Sequence, residues 1–111
     1  MIQNFFYHSD CPWTDLGGGV RRKILAYNDN LMVCELEFEE GAVGALHEHF
    51  HEQCTYVVEG EFEFEIAGVK KVISVGDTTF KEANVIHGAV CLKKGKLVDI
   101  FTPRRDDFLS E

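Results

Sequence analysis

Apolar residues recur at every second position along two stretches of this sequence, 32–38 and 61–66, and glutamate fills every position between them except Val33. The apolar positions of the two stretches are Met32, Cys34, Leu36, Phe38, Phe62, Phe64 and Ile66. Because the side chains of a β-strand point in turn to its two faces, a period of two predicts strands with one buried apolar face. The glutamates between these positions are predicted to form a solvated outer face.

The rest of the sequence also favours short strands. Further extended stretches are predicted at 20–26, 55–59, 70–75, 86–92 and 96–102. Turn-forming residues separate them, at Asn28-Asp29, Glu40-Gly41, Glu59-Gly60, Ala67-Gly68 and Gly76-Asp77. A short turn at Asp106–Leu109 is the one helix candidate. Many short, regularly spaced strands predict a β-sandwich or small barrel, formed by a single domain over residues 1–111.

The composition excludes several classes of function. A formal net charge of −8 argues against nucleic-acid binding, because phosphates need Lys and Arg partners. No stretch approaches the ~18–20 apolar residues of a membrane span, and no signal peptide is recognised at the N-terminus. The four cysteines form no C-x-x-C pair. We therefore expect reduced thiols, acting as small buried hydrophobic residues, in a cytoplasmic protein.

Three of the five histidines have a spacing typical of a metal site. His47 and His49 are separated by one residue, Gln53 follows four residues later, and His87 lies 34 residues beyond it. In an extended backbone, His47 and His49 point the same way. We predict that the three histidines and Gln53 bind one divalent metal ion and leave positions open for water or substrate. Such ligands accept nickel, zinc, manganese or iron.

The alternative is that these residues are ordinary polar members of the core or surface. A histidine pair at a strand end, together with a third histidine on a later strand, favours the metal interpretation. Two other histidines are less informative. His51 could orient a ligand, contact a substrate or lie solvated in a turn, and His8 is expected to have no part in the site.

Gln53 determines the charge of the predicted site. An amide ligand is neutral, so the metal would keep its full divalent charge, whereas a glutamate would cancel part of it. One unit charge at about 4 Å is worth about 4 kcal/mol in a partly solvated site. A neutral ligand set therefore favours an anionic substrate and Lewis-acid chemistry over redox chemistry with oxygen.

Two segments around these ligands resemble the motifs of the cupin superfamily. Residues 41–60 resemble the first motif, with Gln53 where most cupins have glutamate. Residues 76–87 resemble the second motif, although Glu82 stands where proline is usual and Asn84 where glycine is usual. The resemblance implies an all-β, single-domain cupin, a small antiparallel β-barrel or jelly roll, with a bound metal ion.

Further segments are similar to the KdgF-type pectin-degradation cupins, and this resemblance extends from about Trp13 to Phe108. These segments are 19–26, 29–32, 41–44, 51–53 and 99–103. Such cupins convert 4,5-unsaturated uronate monosaccharides, derived from pectin or alginate lyase products, to linear 5-keto-4-deoxyuronate. The resemblance therefore implies a metal-dependent enzyme that opens the ring of a small unsaturated uronate.

The last predicted strand carries an aspartate whose direction the periodicity leaves open. Leu97, Asp99 and Phe101 share a face, and an aspartate on an inward face needs a partner or a function. An outward, solvated Asp99 is an equally good interpretation. The resemblance favours the inward one, because the family's Asp-x-Phe-x-x-x-Arg segment corresponds to Asp99, Phe101 and Arg105. It implies that Asp99 is the general acid/base, that Phe101 packs against the sugar, and that Arg105 binds the substrate carboxylate.

Several roles stay open. Arg104 could take the place of Arg105, and one residue of Arg21, Arg22 and Lys23 could add a positive contact, although most of that trio is expected to be solvated.

Two other functions compete with ring opening: a non-catalytic sugar-acid-binding sensor and a metal-dependent dioxygenase. A homodimer is expected, because small cupins often pair through their sheets. No nucleic-acid or membrane partner is expected.

Overall fold

The computed structural model describes residues 2–110, and within them a short 3-10 helix at His8–Asp10 precedes the first strand. The strands are β1 Trp13–Gly17, β2 Val20–Tyr27, β3 Met32–Phe38, β4 Val43–His47, β5 Glu52–Ile66, β6 Val69–Ser74, β7 Thr78–Lys81 and β8 His87–Thr102. One helix, α1 Asp106–Leu109, follows them. The prediction of an all-β chain is confirmed. Within the described range, no helix is both long and apolar enough to cross a membrane.

The strands form an antiparallel jelly roll whose two layers share the long strands β5 and β8. One layer contains β1, β2, β3 and β7, in which β1 pairs with β2 and β2 with β3. In the same layer, β3 pairs with residues 95–101 of β8, and β7 pairs with residues 53–56 of β5. The other layer contains β4 and β6, which pair with residues 87–90 of β8 and 61–66 of β5. The same two strands therefore contribute side chains to both walls of the interior.

The predicted turn at Glu59-Gly60 is wrong, because the backbone continues through these residues within β5. The extended stretches predicted separately at 86–92 and 96–102 likewise belong to one strand, β8. The register between β5 and β8 shifts near Glu59-Gly60 and between the two stretches predicted in β8. A β-bulge changes the direction of a strand without ending it, and the two long strands use such irregularities to pass from one layer to the other.

Two glycines allow these strands to bend at close range. Gly60 has a φ of 82°, and a Cβ there would lie 2.5 Å from the carbonyl oxygens of both Lys93 and Lys94. A Cβ on Gly95, on the opposite strand, would lie 2.8 Å from the ring of Phe62. Gly60 needs a positive φ, and at both positions a Cβ would block the close approach of the two strands, so these two glycines make the shared strands possible.

The predicted alternation is observed in both stretches. The most deeply buried of its apolar positions are Met32, Cys34, Phe38, Phe62 and Phe64. The two layers pack against each other through these side chains, and the Phe38 and Phe62 rings meet edge to face at a centroid distance of 5.4 Å. Glu35 departs from the solvated outer face, because it is only 8% exposed and its carboxylate lies 3.0 Å from the imidazole of His8.

The cysteines are all free thiols. Cys34 and Cys91 are buried, as expected of small hydrophobic residues, whereas Cys54 is exposed and Cys11 is half-buried. Burial, with a smaller contribution from Asp99, raises the pKa of the Cys34 thiol to about 12. Because the thiolate is the reactive form, Cys34 is an inert part of the core.

Candidate metal centre and active site

A cavity of about 240 Å³ opens between the two layers. Its polar lining residues come from β2, β4, β5, β7, β8 and the segment before α1, and they are Arg22, His47, Gln53, Thr55, Lys81, His87, Asp99 and Arg105. Charged residues are rarely buried unless they are paired. A cavity with so many convergent polar groups is the expected form of a binding or catalytic site.

Three imidazoles meet at the wall of this cavity. His47 ends β4 and His87 begins β8, and these two residues are partners across the paired strands. His49 lies beyond the end of β4, in the connection to β5. One nitrogen atom from each ring lies within 4.8 Å of the others. That span is slightly more than twice a metal–imidazole bond of about 2.0–2.1 Å, so the three rings could hold a metal ion between them.

The backbone fixes the orientation of all three rings. The Nδ1 atoms of His47, His49 and His87 lie 2.8, 3.0 and 3.0 Å from the carbonyl oxygens of residues 45, 51 and 85. A carbonyl oxygen can only accept a hydrogen bond, so each Nδ1 carries the hydrogen and each Nε2 presents its lone pair. This second contact orients a metal-binding histidine. The Nε2 atom of His87 is buried and has no hydrogen-bond partner among the described residues.

Burial favours the neutral form of His87 and His49. It lowers the pKa of His87 to about 4, against a weaker upward effect of the hydrogen bond to the Val85 carbonyl. Burial also lowers the pKa of His49, and the charge of Arg105 adds to this effect. Metal binding requires the neutral form of the ring, so two of the three histidines are held in the binding-competent state at neutral pH.

Gln53 completes the cluster from the start of β5. It is 7% exposed, and its Oε1 atom lies 3.0 Å from Nε2 of His49. With Nδ1 of His49 carrying the hydrogen, these two atoms both present lone pairs and repel each other unless a cation lies beside them. The donor set and the unpartnered His87 nitrogen therefore fit a divalent metal ion.

A buried row of polar side chains crosses β7, β5 and β8 beside this cluster. Lys81 donates from Nζ to Oγ1 of Thr55 at 2.5 Å, and Thr55 donates to Oδ1 of Asp99 at 2.5 Å. Asp99 is 7% exposed and faces the cavity. Burial lowers the pKa of Lys81 to about 8, although Asp99 acts in the opposite direction.

Aromatic rings and one arginine form the wall nearest α1. The guanidinium of Arg105 lies 5.1 Å from the Phe101 ring centroid and 4.1 Å from that of Phe108, within cation–π range. Phe101 also meets the ring of His49 edge to face at 5.9 Å. Asp107 accepts two hydrogen bonds from Arg105, at 3.0 and 2.8 Å, and these bonds lower its pKa. Arg105 is thus fixed beside the imidazole cluster.

Comparison with known proteins identifies the family. The family model of the cupin domain matches residues 34–101. The pectin degradation protein KdgF of Dickeya dadantii (strain 3937) is 40% identical over 110 residues, which cover 97% of this chain and 100% of the relative. This chain is a cupin of the KdgF family. The structure of KdgF from Halomonas sp. is 40% identical, with a TM-score of 0.92 over 96% of this chain and 99% of that one. An RmlC-like cupin from Shewanella frigidimarina is 43% identical, with a TM-score of 0.92 over 96% of each chain.

The predicted site residues of this cupin lie together. They are His47, His49, Gln53, His87, Asp99, Phe101 and Arg105, and all except His49 line the cavity. His49 belongs to the imidazole cluster at its edge. The direction of Asp99, which the periodicity left open, is inward, because Leu97, Asp99 and Phe101 are all buried.

The neighbouring basic residues differ in position. Arg104 points away from the cavity and pairs with Asp29 at 3.1 Å and with Asp106 at 2.8 Å, so it does not share the place of Arg105. The expectation that most of the 21–23 trio is solvated is wrong. Arg22 is 4% exposed and lines the cavity. Lys23 is 5% exposed because the N-terminal segment covers it.

Sequence reasoning missed Thr55 and Lys81, the partners of Asp99. Lys81 lies in β7, a four-residue strand that carries no long alternation, and a lysine there is ordinarily taken as solvated.

His51 is buried and stacks on Phe50 at a centroid distance of 4.0 Å. It lies outside the three-histidine cluster, and His8 lies on the outer face against Glu35.

Proposed function

We propose that this cupin opens the ring of 4,5-unsaturated uronate monosaccharides, derived from pectin or alginate lyase products, to give linear 5-keto-4-deoxyuronate. The observation that carries the proposal is the convergence of Asp99, Arg105 and the imidazole cluster on one cavity. Its volume of about 240 Å³ is below the usual range for drug-sized ligands and suits a single sugar ring. The name of the relative from Dickeya dadantii, a pectin degradation protein, supports this class of substrate.

The three clustered histidines and Gln53 would hold one divalent metal ion. When bound, the ion supplies a Lewis acid whose charge is undiminished, because none of these four ligands is anionic. The donor set suits nickel, zinc, manganese or iron. Together with Arg105, it makes one side of the cavity positive, which favours a small anion such as a uronate.

Asp99 moves the proton in this proposal. The substrate is a cyclic enol ether with a hydroxyl on C1. Asp99 accepts the proton of that hydroxyl while the C1–O5 bond breaks, so C1 becomes an aldehyde and O5 keeps the electron pair as an enolate. Asp99 then gives the proton to C4, and C5 becomes a ketone. The reaction is an isomerisation that consumes no water and no electrons, and a positioned acid/base is sufficient for its proton transfer.

Arg105 and Phe101 orient the sugar. A guanidinium binds a carboxylate through parallel hydrogen bonds, so Arg105 fixes the carboxylate on C5 of the substrate. The Phe101 ring, buried beside His49, offers an apolar surface to the sugar. With both ends of the substrate held, the C1 hydroxyl and C4 are presented to Asp99, and orientation of this kind lowers the barrier.

The deciding experiment is anaerobic incubation of the metal-loaded protein with an unsaturated uronate monosaccharide. We expect loss of the ultraviolet absorbance of the C4–C5 double bond and appearance of the open-chain product in NMR spectra. Binding without turnover would indicate a sugar-acid sensor, and turnover only in the presence of oxygen would indicate a dioxygenase. Either result would contradict the proposal. A panel of substrates from pectin, alginate and glycosaminoglycans would identify the natural source.

The Asp99→Ala variant tests the residue assignment. Removal of a general acid/base is expected to lower kcat by roughly 10²–10⁴-fold while the metal content is unchanged. Asp10→Ala, at an exposed carboxylate of the N-terminal 3-10 helix, is the matched control and should keep the wild-type rate. An Asp99→Ala protein that binds metal and converts the substrate at the wild-type rate would contradict the role of Asp99 as the general acid/base.

The homodimer and the cytoplasmic location stay predictions. Light scattering on the purified protein would measure the mass in solution, and a monomer at micromolar concentration would contradict the dimer. Fractionation of the source cells would test the location.

A further inference from the structure

The buried row of Lys81, Thr55 and Asp99 contains two groups, Lys81 and Thr55, to which ring opening assigns no step. Lys81 is fully buried, at 0% exposure, and Thr55 is 1% exposed. The Lys81 amine is held between two hydroxyls, donating to Thr55 at 2.5 Å and to Thr79 at 2.8 Å. Stability does not require such a residue, because an apolar side chain of similar volume often serves a core as well or better.

The hydrogen bonds of Thr55 have a single possible direction. A hydroxyl has one hydrogen and two lone pairs. Lys81 Nζ and Gln53 Nε2, which lie 2.5 and 3.3 Å from Thr55 Oγ1, are both donors, so they occupy the two lone pairs. The hydroxyl hydrogen is therefore left for Asp99 Oδ1, 2.5 Å away. Lys81 thus determines which way this hydroxyl points.

Two parts of the site depend on that direction. Asp99 is held through Oδ1, which leaves Oδ2 to exchange a proton with the substrate. Gln53 is held through Nε2, which keeps its Oε1 atom toward His49 and the imidazole cluster. The Thr55 hydroxyl therefore connects the predicted proton carrier to a predicted metal ligand, and Lys81 holds that hydroxyl in place.

We propose that Lys81 is a positioning residue for ring opening, which acts through Thr55 to fix the Asp99 carboxylate and the Gln53 amide. This inference rests on the proposed function. Lys81 forms no bond to the substrate and gives up no proton in the reaction. Removal of Lys81 should misorient Asp99 without changing the part of the site that binds the uronate carboxylate. It should therefore lower kcat and leave KM unchanged.

The first test compares Lys81→Met and Thr55→Val in the metal-loaded enzyme. Each should lower kcat by roughly 10–100-fold, as loss of a group that orients an active-site residue does. KM should stay near the wild-type value when the metal is kept at a saturating concentration. Because both variants break the same chain of hydrogen bonds, the double variant should be no slower than the slower single variant. Lys71→Met, at an exposed lysine of β6, is the matched control and should keep the wild-type kcat.

A conservative change separates hydrogen bonding from packing. Thr55→Ser keeps the hydroxyl and loses only a methyl group, so it should recover most of the rate that Thr55→Val loses. Equal losses in both variants would show that packing at this position matters and would overturn the proposal. Thr55→Val also tests the chain of hydrogen bonds if Lys81→Met does not fold.

The second test does not depend on activity. In the metal-free protein, the Thr55 hydroxyl proton should give a slowly exchanging NMR resonance, because it is buried and donates at 2.5 Å. Lys81→Met should remove or broaden this resonance, whereas Lys71→Met should keep it. A wild-type enzyme that turns over, with a metal-loaded Lys81→Met variant that is equally fast, would overturn this inference alone. A wild-type protein with no turnover would overturn the proposed function, and the positioning role with it.

Discussion

The two ends of the interior are equally buried but have opposite chemistry. At the closed end, Val57 and Phe62 are both 0% exposed and pack in an apolar cluster. At the open end, Lys81 and Thr55 are 0% and 1% exposed and belong to a hydrogen-bonded row. Both ends are built from the same strand, since β5 supplies Thr55, Val57 and Phe62 in succession.

Because one end is apolar and the other is polar, stability and function are expected to depend on different residues. Burial of apolar area at the closed end contributes roughly 25 cal/mol per Å² to folding. Polar groups at the open end contribute little net stability even when they are hydrogen-bonded, and they are costly when a partner is missing. We therefore expect changes at the closed end to affect unfolding and changes at the open end to affect turnover.

Metal removal should produce the largest effect, and it should be confined to the open end. The ion is expected to contribute several kcal/mol of transition-state stabilisation, so a chelator-treated protein should turn over at least about a thousandfold more slowly. Circular dichroism should still show the β-fold, because the closed end holds the two layers together. Adding back a divalent ion should restore the rate. A stripped protein with the wild-type rate would contradict the metal centre.

Phe62→Ala should produce the next largest effect, at the closed end. The ring is fully buried against Phe38 and Phe64, so its loss should lower the free energy of unfolding by roughly 3–5 kcal/mol. Urea denaturation measures this loss. At a temperature where the variant is folded, its kcat and metal content should equal those of the wild type. A large fall in kcat without a loss of stability would show that the two ends are not separable.

The closed end was largely predictable from the sequence, because it depends on periodicity. The alternation in 32–38 and 61–66 gave the buried faces of β3 and of the second half of β5. The continuity of β5 was not predictable, since Gly60 is a typical turn residue. Whether a glycine ends a strand or bends it depends on what lies opposite, here the backbone of β8 near Gly95. That neighbour is more than thirty residues away in sequence.

The open end was predictable only in part. The spacing of His47 and His49, together with His87, predicted the histidine cluster, although His49 lies in the connection after β4 and not on the strand as predicted. The resemblance to a family supplied Asp99. The partners of Asp99 carry no such signal. Lys81 becomes informative only once β7 lies beside β5 and brings its amine to Thr55. Long-range strand pairing therefore determines the part of the site that spacing and motifs do not.

Lys81→Met should reveal a stability cost at the open end. Burial lowers the pKa of Lys81 from 10.5 to about 8. Between these values the unfolded chain holds the proton and the folded chain does not, so the free energy of unfolding of the wild type rises with pH. The rise is at most about 3 kcal/mol. Lys81→Met should lack it and should be no less stable than the wild type at pH 7. Urea denaturation from pH 7 to pH 10 measures the free energy of unfolding and its rise with pH for the wild type and the variant. A variant whose free energy of unfolding rises with pH as steeply as that of the wild type would contradict the shifted pKa.

The smallest effect is expected just outside the open end, where adjacent arginines face in different directions. Arg105 lines the cavity with a side chain that is 12% exposed, whereas Arg104 bonds to Asp29 and Asp106 on the surface. Arg105→Ala should raise KM roughly tenfold to a hundredfold, because it removes hydrogen bonds to a charged group. Arg104→Ala should change kcat/KM by less than about twofold, as surface substitutions usually do. Steady-state kinetics on one unsaturated uronate compares the two variants. Equal rises in KM would mean that the net positive charge near the cavity, rather than the direction of one side chain, recruits the substrate.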